Sequence, residues 1–563
     1  MIRKIGLIGR TYRHINRYRE IIAVLFKHGF GDLITNSQIE KYLDFGKKFI
    51  PNKKIEKITS LSRWERIRMV LEELGPTFIK LGQIMSNRPD ILPEPLLFEL
   101  EKLQDSVPPM PNEEAEKMIE QELGKPISEL FKKFDTNPIA SASIAQVYRA
   151  ELFSGEKIAV KVQRTGIQKI IETDLEIMFH LSLLMEKHIT EMQILNPVEI
   201  VKEFERSIRK EIDFNIEASH IERFGRNFQT DLSIYVPEVY KDHSTKKILT
   251  MEFIEGIKVS NLNGLIKAEN DPLLIAGQGC DLILKQIFEH GFFHADPHPG
   301  NILIMKDNIT CFLDFGMMGT LLPKHQDYLG NIIVGVVNKD SKKITETLLR
   351  LTGTYNIENR DQLEYRVSEL VNQYAYISLK EIKIGELLNK LFKMLIDFKL
   401  RLPSDFYLLS KALITIEGVG TKLDPDFDMV AHIEPFAKNL LKKRLDPFKL
   451  AKDLYSSMSE FRLLFKDFPF EIREIIRLVK TGKLKIEFEH KGLESMLIKH
   501  DQISNRIAFT IVLAALIIGS SLIVLSKIPP LWQGIPIIGI VGYIAAGIMG
   551  FWLLISILKH GKM

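Results

Sequence analysis

Two long uncharged stretches near the C-terminus limit what this chain can fold into more than any other feature of its sequence. The first, Ile507 to Ser526, contains 20 residues without a charged side chain, and the second, Ile528 to Leu558, is longer and begins with Pro529-Pro530. A helix of about 20 apolar residues spans the roughly 30 Å hydrocarbon core of a bilayer. Both stretches are therefore predicted to cross a membrane as a short two-helix hairpin.

The charges that flank these stretches predict their orientation. Lys499 and Arg506 precede the first stretch, Lys559 and Lys562 follow the second, and only Lys527 lies between them. Because positively charged flanks stay on the cytoplasmic side of a membrane, both ends of the hairpin are placed in the cytoplasm. The protein is thus predicted to be a multi-pass membrane protein with a cytoplasmic catalytic domain, most simply in a bacterial inner membrane.

Three small residues recur every four positions in the second stretch. They are Gly542, Ala546 and Gly550. Small residues at this spacing let two helices approach closely, either within the hairpin or between two molecules as a homodimer. Chance placement of small residues is the third reading, and the pattern does not choose among them.

The rest of the chain has an ordinary composition. Its 563 residues are too many for one hydrophobic core. The net charge of +4 is small and no basic stripe with interleaved aromatic residues occurs, so nucleic acid is not expected as a partner. The two cysteines, Cys280 and Cys311, lie in apolar segments, which favours a reducing compartment without a disulfide framework or a zinc site.

The N-terminal 30 residues are basic and amphipathic. They carry seven Lys and Arg residues against one acid, Glu20, with apolar residues between them. Such a segment either rests on an anionic membrane surface or is a helix with a solvated face. Further along, residues 61–110 are predicted to form two helices interrupted at Gly75-Pro76, with Lys80 and Gln83 on the second. From the pattern alone, Lys80 is a solvated lysine.

From Ile139 the hydrophobic period changes to two. This predicts strands over Ile139–Leu152 and Ile158–Gln163, joined by a turn at Ser154-Gly155. Lys161 lies among apolar neighbours in the second strand, where an unpaired buried charge is costly. It is therefore paired, bound to phosphate, or an edge-strand lysine that faces water.

Two helices are predicted after these strands, over Glu172–Lys187 and Pro197–Phe228. Glu211, Asp213 and Glu217 cluster on the second helix. Because Glu211 and Glu217 are six residues apart, they do not share a helix face. Only one of them is expected to meet Lys161, and the pattern does not say which.

The stretch from His294 to Gly316 carries the chemistry. Asp296 lies in a Pro-rich turn, Asn301 follows five residues later, and Asp314 precedes Phe-Gly after a predicted hairpin of two buried strands. A protein-kinase catalytic loop followed by its metal-binding loop has this layout. Its residue types suit the chemistry, because an attacking hydroxyl needs a nearby carboxylate and Mg²⁺ prefers oxygen ligands.

Taken together, the motifs between about residues 60 and 430 resemble those of the UbiB family of atypical kinase-like proteins, which is linked to ubiquinone biosynthesis. The matching motifs are KLGQ at Lys80–Gln83, ASASIAQV at Ala140–Val147, EID at Glu211–Asp213 followed by Glu217-Ala218, HADPHPGN from His294, and DFG ending at Gly316. The resemblance implies an α+β fold, namely a two-lobed protein-kinase-like domain with a helical N-terminal extension and the C-terminal transmembrane hairpin.

The resemblance also implies the cofactors ATP and Mg²⁺ and a set of site residues. Lys161 would pair with Glu217 and hold the ATP phosphates, Asn301 and Asp314 would bind the metal, and Asp296 would take the catalytic position. Four residues of the KLGQ and EID motifs would cap the nucleotide pocket: Lys80, Gln83, Glu211 and Asp213. The remaining ATP-binding residues belong to the alanine-rich loop and are Ala140, Ser141, Ala142, Ser143, Ile144, Ala145, Gln146 and Val147.

Three departures from ordinary protein kinases have physical consequences. No glycine occurs from Ile139 to Ala150, which makes the phosphate loop stiffer than a Gly-rich one. Ala295 stands where ordinary kinases have an Arg, so control by phosphorylation of an activation loop is not expected. An APE-like element, the usual platform for a peptide substrate, is missing as well.

These features predict a membrane-anchored ATPase or small-molecule kinase that supports ubiquinone biosynthesis. The alternatives are a nucleotide-dependent scaffold of a quinone-biosynthesis complex and, third, a protein kinase. Expected partners are membrane lipids and either quinone-biosynthesis enzymes or lipid-soluble quinone precursors. The predicted divisions are a basic segment (1–60), the KLGQ extension (61–115), an N-lobe (116–256), a C-lobe (257–441), a charged connector (442–505) and the hairpin (506–563).

Overall fold

The protein forms two compact units, residues 1–451 and 452–563. The structure is a computed structural model that describes residues 11–30, 61–103, 109–188, 196–354, 357, 359–375, 382–444, isolated positions between 472 and 481, and 493–560. Most of the predicted connector (442–505) and the first ten residues therefore lie outside the described residues.

The first unit combines helices with two small sheets and a short strand pair. Its helices are α1 (Thr11–Lys27), α2 (Arg63–Leu74), α3 (Pro76–Met85), α4 (Glu94–Leu100), α5 (Asn112–Leu123), α6 (Ile127–Leu130), α7 (Ile167–His188), α8 (Pro197–Glu211), α9 (Phe214–Asn227), α10 (Leu262–Lys267), α11 (Pro272–Lys285), α12 (Pro323–Val337), α13 (Ser341–Leu351), α14 (Arg360–Ala375), α15 (Ile384–Asp397), α16 (Ser404–Leu423) and α17 (Met429–Arg444). Its strands are β1 (Lys133–Phe134), β2 (Ala140–Ser141), β3 (Ala145–Glu151), β4 (Lys157–Gln163), β5 (Ile234–Tyr235), β6 (Ile248–Glu252), β7 (Ile257–Lys258), β8 (Phe292–His294), β9 (Ile302–Ile304), β10 (Thr310–Phe312) and β11 (Met318–Thr320).

The N-lobe sheet is antiparallel, with the strand order β1-β3-β4-β6 and β2 beside β3. Side chains alternate between its two faces, as the period of two predicts. Ile158, Val160 and Val162 are buried in a core cluster together with residues of α5. Ala159 belongs to the main core cluster on the other side, so the alternation places Lys161 on that second face.

The C-lobe sheet has the order β5-β10-β9-β7. Strands β9 and β10 form an antiparallel hairpin in which Thr310 lies opposite Ile304. The hairpin predicted between Asn301 and Asp314 is confirmed, and it brings both ends of the motif to one edge. Strand β8 pairs with β11, so the residues before Asp296 are also held in a strand pair. The kinase-like α+β fold is thus confirmed.

The N-terminal extension is two helices with a sharp break at the predicted position. Gly75 has a φ of +92°, a conformation that favours glycine, and Pro76 opens α3. Within α3, Gly82 approaches α4 closely. A methyl group built on Gly82 would lie 2.2 Å from Leu103 Cδ1 and 3.0 Å from Leu71 Cδ1. The glycine of KLGQ is therefore needed for helix packing.

Replacing Gly82 by Ala is expected to lower the free energy of unfolding by about 1–3 kcal/mol, because the added methyl group overpacks this contact. Thermal unfolding of the purified protein measures the effect. Gly418 in α16 is the matched control, since nothing lies within 4 Å of the methyl group that alanine would add there. Gly418→Ala should raise stability by up to about 1 kcal/mol. Equal effects of the two changes would contradict the packing argument.

Helix α1 packs on the protein through its apolar side. Ile21 and Val24 belong to the main core cluster. Arg17 donates to the buried carboxylate of Asp174 at 2.8 Å and to the carbonyl oxygen of Leu74 at 2.6 Å. Neither reading of this segment describes the helix, because its apolar face is used for packing within the first unit rather than for a membrane or left beside a solvated face.

The single helix predicted over Pro197–Phe228 is wrong. Two helices occupy this range, α8 and α9, and they are separated by Ile212 and Asp213. Asp213 has an extended backbone and its carboxylate accepts from the backbone N–H of Asn215 at 3.2 Å, which caps α9. The break lets two carboxylates six residues apart reach the same cleft.

The second unit contains a helical hairpin formed by α18 (Leu493–Ser526) and α19 (Ile537–His560). Between the helices, β12 (Leu531–Trp532) and β13 (Ile535–Pro536) form a short antiparallel turn. The expectation that the second span begins at Ile528 is therefore wrong. Proline lacks a backbone N–H, so the segment around Pro529-Pro530 is poorly suited to a helix interior, and the helix starts only at Ile537.

Both helices are long and apolar enough to cross a membrane. The candidate spans are Ile503–Ser526 and Ile537–Leu554, of which only 6% and 11% are buried within the protein. That exposure distinguishes them from core helices of a water-soluble domain. The small residues of α19 face α18 of the same chain, since a methyl group on Gly542 would lie 2.1 Å from Ser520 Oγ. Close packing within the hairpin thus uses this face.

Candidate functional site

The centre of the candidate site is an ion pair between the two lobes' shared helix and the N-lobe sheet. Lys161 Nζ lies 2.8 Å from both carboxylate oxygens of Glu217. Lys161 comes from β4 and Glu217 from the first turn of α9, which Asp213 caps. Both side chains are largely buried, at 16% and 6% exposure. Of the two acids that the sequence left as partners of Lys161, the structure pairs it with Glu217.

Asp314 completes this group from the C-lobe. Its Oδ1 lies 3.8 Å from Lys161 Nζ and accepts the backbone N–H of Gly316 at 2.9 Å. The positive charge of Lys161 lowers the pKa of Asp314 to about 2, so this carboxylate is ionised at every physiological pH. Burial alone would lower the pKa of Lys161, but the Asp314 and Glu217 carboxylates outweigh it and raise that pKa. Half of the Asp314 side chain is exposed, at 52%, toward the cleft.

Asp296 lies in the turn after β8. Its carbonyl oxygen accepts the N–H of His298 at 2.8 Å and, more weakly, an N–H of the Asn301 side chain at 3.5 Å. Because the amide nitrogen of Asn301 faces Asp296, its amide oxygen is left for a cation. Asp296 Oδ1 lies 3.4 Å from the ammonium group of Lys411, which comes from α16.

His294 supports this turn from below. Its ring is buried and stacks on Phe312 at 5.3 Å between centroids, and burial lowers the pKa of His294. Nδ1 accepts the backbone N–H of Asp296 at 3.2 Å, and the backbone N–H of His294 donates to Gln286 Oε1 at 2.8 Å. A neutral histidine thus orients the peptide of Asp296. Sequence reasoning quoted this residue without assigning it a role.

The alanine-rich loop is a tight turn between β2 and β3. The backbone N–H of Ala142 donates to the carbonyl oxygen of Ala145 at 2.8 Å. Arg164, which sequence reasoning missed, braces the turn by donating to the carbonyl oxygen of Ala142 and to Ser141 Oγ, both at 2.8 Å. Only its position directly after β4 could have indicated this role.

Not every residue of this loop can present its side chain to a nucleotide. Ile144 and Ala145 are part of the main core cluster. Gln146 is fully buried and accepts the hydroxyl proton of Tyr148 at 2.7 Å. These three can contact ATP only through their backbone. Ser143 Oγ, by contrast, is buried without a hydrogen-bond partner, which leaves a hydroxyl for an incoming phosphate oxygen.

The KLGQ extension reaches the same cleft through one lysine. Lys80 Nζ lies 2.6 Å from Glu211 Oε1, and Lys80 is close enough to Asp314 to help lower the pKa of that carboxyl. The other two predicted capping residues have structural partners. Gln83 donates to the carbonyl oxygen of Leu103 at 3.2 Å, and Asp213 caps α9. The cap therefore consists of Lys80 and Glu211.

These residues fit a nucleotide held with a divalent cation. Two lysines and three carboxylates line one cleft, and Asp314 together with the Asn301 amide supplies oxygen ligands of the kind that Mg²⁺ prefers. Within the part of the chain that the structure describes, no group of three or more His, Cys, Asp or Glu side chains could hold a metal by itself. That agrees with Mg²⁺ sites, in which substrate phosphates and water provide the remaining ligands.

Family models match most of the chain. The ABC1 atypical kinase-like domain matches residues 102–348, the UbiB helical domain matches residues 367–428, and the ABC1/UbiB kinase-like C-terminal domain matches residues 491–559. The helical domain includes α16, which supplies Lys411. The third match covers both helices of the hairpin.

Individual relatives agree with these matches. A Clostridium pasteurianum protein named "Uncharacterized protein in hydrogenase 1 5'region" is 35% identical over 98% of this chain and 100% of its own length. Two proteins named "Probable protein kinase UbiB" are 36% identical in Marinobacter nauticus and 37% in Pseudomonas fluorescens strain Pf0-1. These alignments cover 75% and 73% of this chain and 78% and 77% of the relatives.

Among solved structures, the chain resembles one titled "The complex structure of Rv3197-erythromycin from Mycobacterium tuberculosis". The TM-score is 0.43 at 22% identity, and the match covers 66% of this chain and 94% of that chain. A similarity of this strength carries no conclusion about activity or ligands.

Proposed function

Since the chain belongs to the UbiB family of ABC1 atypical kinase-like proteins, we propose that it is a membrane-anchored enzyme that binds ATP with Mg²⁺ and transfers or hydrolyses the γ-phosphate in support of ubiquinone biosynthesis. One observation carries the proposal. Lys161, Glu217 and Asp314 meet in one cleft, beside Asp296, in the arrangement that phosphoryl transfer needs.

Each residue has a task in this proposal. The ammonium group of Lys161, held in place by Glu217, contacts the ATP phosphates. Asp314 and the amide oxygen of Asn301 hold Mg²⁺, which neutralises phosphate charge when it is bound. Asp296 accepts the proton of the attacking hydroxyl or water. His294 keeps the Asp296 peptide oriented, and Arg164 keeps the alanine-rich turn in shape around the phosphates.

The acceptor in this proposal is a small molecule or water rather than a protein. Lys80 and Glu211 bridge the extension and α8 across the cleft, where a peptide would have to enter. The chain also lacks the Arg before Asp296 and the APE element that ordinary protein kinases use. The apolar hairpin of the second unit supports a lipid-soluble acceptor, such as a quinone precursor, because it would hold the enzyme at the bilayer.

Lys80→Ala tests the cap. Removing Lys80 takes a cation from the cleft and leaves Glu211 unpaired, so ATP, which carries more negative charge than ADP, should lose more affinity. We expect the ratio of ATP to ADP affinity to fall at least about fivefold, or about 1 kcal/mol, measured by calorimetry. Lys102→Ala is the control, because Lys102 pairs with Glu99 elsewhere in the extension. An unchanged ratio in Lys80→Ala would make Lys80 an ordinary surface lysine.

The activity itself is tested by ADP release from the purified full-length protein with Mg²⁺, compared with Asp314→Asn. Turnover in the wild type that the variant lacks supports the proposal. Nucleotide binding without turnover in either protein would favour the alternative of a nucleotide-dependent scaffold.

A further inference from the structure

Lys411 is a cation at the catalytic loop that no sequence motif indicated. It extends from α16 in the UbiB helical region, and its Nζ lies 3.4 Å from Asp296 Oδ1. Both side chains are about one-third exposed, at 33% and 35%, so the pair lies at the open end of the cleft. Its own helix is firmly placed, since Ala412, Leu413 and neighbouring residues of α16 are buried.

The extension approaches the same lysine. Burial raises the pKa of Glu101, which follows α4, while the charge of Lys411 acts in the opposite direction. Lys411 therefore stands between the catalytic loop and the extension. The other two lysines of the site are committed elsewhere, Lys161 to Glu217 and Lys80 to Glu211. His298, two residues after Asp296, uses its Nδ1 to accept the N–H of Gly300 at 3.2 Å.

The γ-phosphoryl group would lie at this end of the site, because the attacking oxygen must lie near both Asp296 and the γ-phosphorus. Charge builds up there on the transferring oxygens, and a fixed cation in a partly dry cleft stabilises it. In ordinary protein kinases the catalytic loop carries an Arg before its Asp, whereas this chain has Ala295. A cation from another element is therefore the available source of positive charge beside Asp296.

We propose that Lys411 is a catalytic residue that moves from Asp296 to the γ-phosphoryl oxygens when ATP is bound and stabilises their charge during transfer. This inference rests on the proposed ATP-dependent function. The contact with Asp296 holds the ammonium group at the reaction centre before nucleotide arrives, so little reorganisation is needed afterward.

The chemical step balances with these residues. The acceptor oxygen bonds to the γ-phosphorus, the bond from that phosphorus to the β–γ bridging oxygen breaks, and its electron pair stays on ADP. The proton of the acceptor hydroxyl or water goes to a carboxylate oxygen of Asp296. Lys411 keeps its proton throughout. The products are ADP and a phosphorylated acceptor, or ADP and inorganic phosphate when water is the acceptor.

The test compares Lys411→Ala, Lys411→Arg and Lys422→Ala in the full-length protein, with ATP hydrolysis as the readout. An interaction made only in the transition state lowers kcat without changing KM. We expect Lys411→Ala to lower kcat about 100-fold with the KM for ATP within threefold of the wild type. Lys411→Arg should restore at least a tenth of the wild-type kcat. Lys422 is exposed on the same helix and its variant should match the wild type.

Three outcomes would overturn the inference. A kcat for Lys411→Ala within threefold of the wild type, while Asp314→Asn is slow, removes the role of Lys411 alone. A kcat above the wild type would make Lys411 a brake on Asp296. Wild-type turnover no faster than that of Asp314→Asn overturns the proposed function and this role with it. Equal thermal unfolding midpoints of Lys411→Arg and Lys411→Ala separate a catalytic loss from a folding defect.

Discussion

Replacing Asp314 by Asn is expected to lower Mg²⁺-dependent ATP turnover at least about 100-fold, because the substitution keeps the shape of the side chain but removes the charge that would hold the metal. Lys161 remains paired with Glu217 in the variant, so the cleft should stay folded and nucleotide should still bind. Steady-state ADP release, with EDTA added as a second way of removing the metal, measures the effect.

Asp307→Asn is the matched control for this change. Asp307 lies in the turn of the same hairpin, away from the cleft, with a φ of +62° that asparagine tolerates well. Its variant should turn over ATP like the wild type. Since the pKa of Asp314 is about 2, the carboxylate stays ionised on acidification, and the gap between wild type and Asp314→Asn should persist at pH 5.5. Normal turnover in Asp314→Asn would sink the assignment of Asp314 to the metal.

Removing residues 452–563 is expected to release the protein from membranes. The truncated chain keeps the whole of the first compact unit and loses both candidate spans. Because each span is long enough to cross the hydrocarbon core, the intact chain should float almost entirely with vesicles of bacterial lipid, and the truncated chain should float less than about one-tenth as much. Retained ATP binding by the truncated chain shows that the first unit is folded.

A truncated chain that still floats with vesicles would point to a second anchor in the first 30 residues. The packing of α1 argues against that result. Ile21 and Val24 are buried in the main core and Arg17 is held by Asp174, so the described helix has little apolar surface left for lipid.

The sequence could predict those parts of the fold and site that depend on local pattern. The period of two around Lys161, the hairpin before Asp314 and the glycine break at Gly75 are encoded within a few residues of each other. The kinase-like fold and the apolar C-terminal helices could be predicted for the same reason. Motif order then supplied the family, because each motif carries its own spacing.

Long-range contacts could not be predicted in this way. The capping turn at Asp213 breaks a helix that the apolar pattern continues, and only that break lets Glu211 and Glu217 meet two different lysines. Lys411 occupies an ordinary position on an amphipathic helix, and its contact with Asp296 depends on how α16 packs. Arg164 braces the alanine-rich turn through backbone groups, which leave no trace in sequence.

The ion pair between Lys161 and Glu217 has a consequence for how a cell would manage this protein. Many kinases form the corresponding pair only after a regulatory event, so the pair acts as a switch. Here it is made by the chain alone, and Ala295 removes the usual reader of a regulatory phosphate. An enzyme that is always assembled would consume fuel continuously unless the arrival of its acceptor set the pace. Flux through it is therefore expected to follow the supply of acceptor and the amount of protein, with no on and off states.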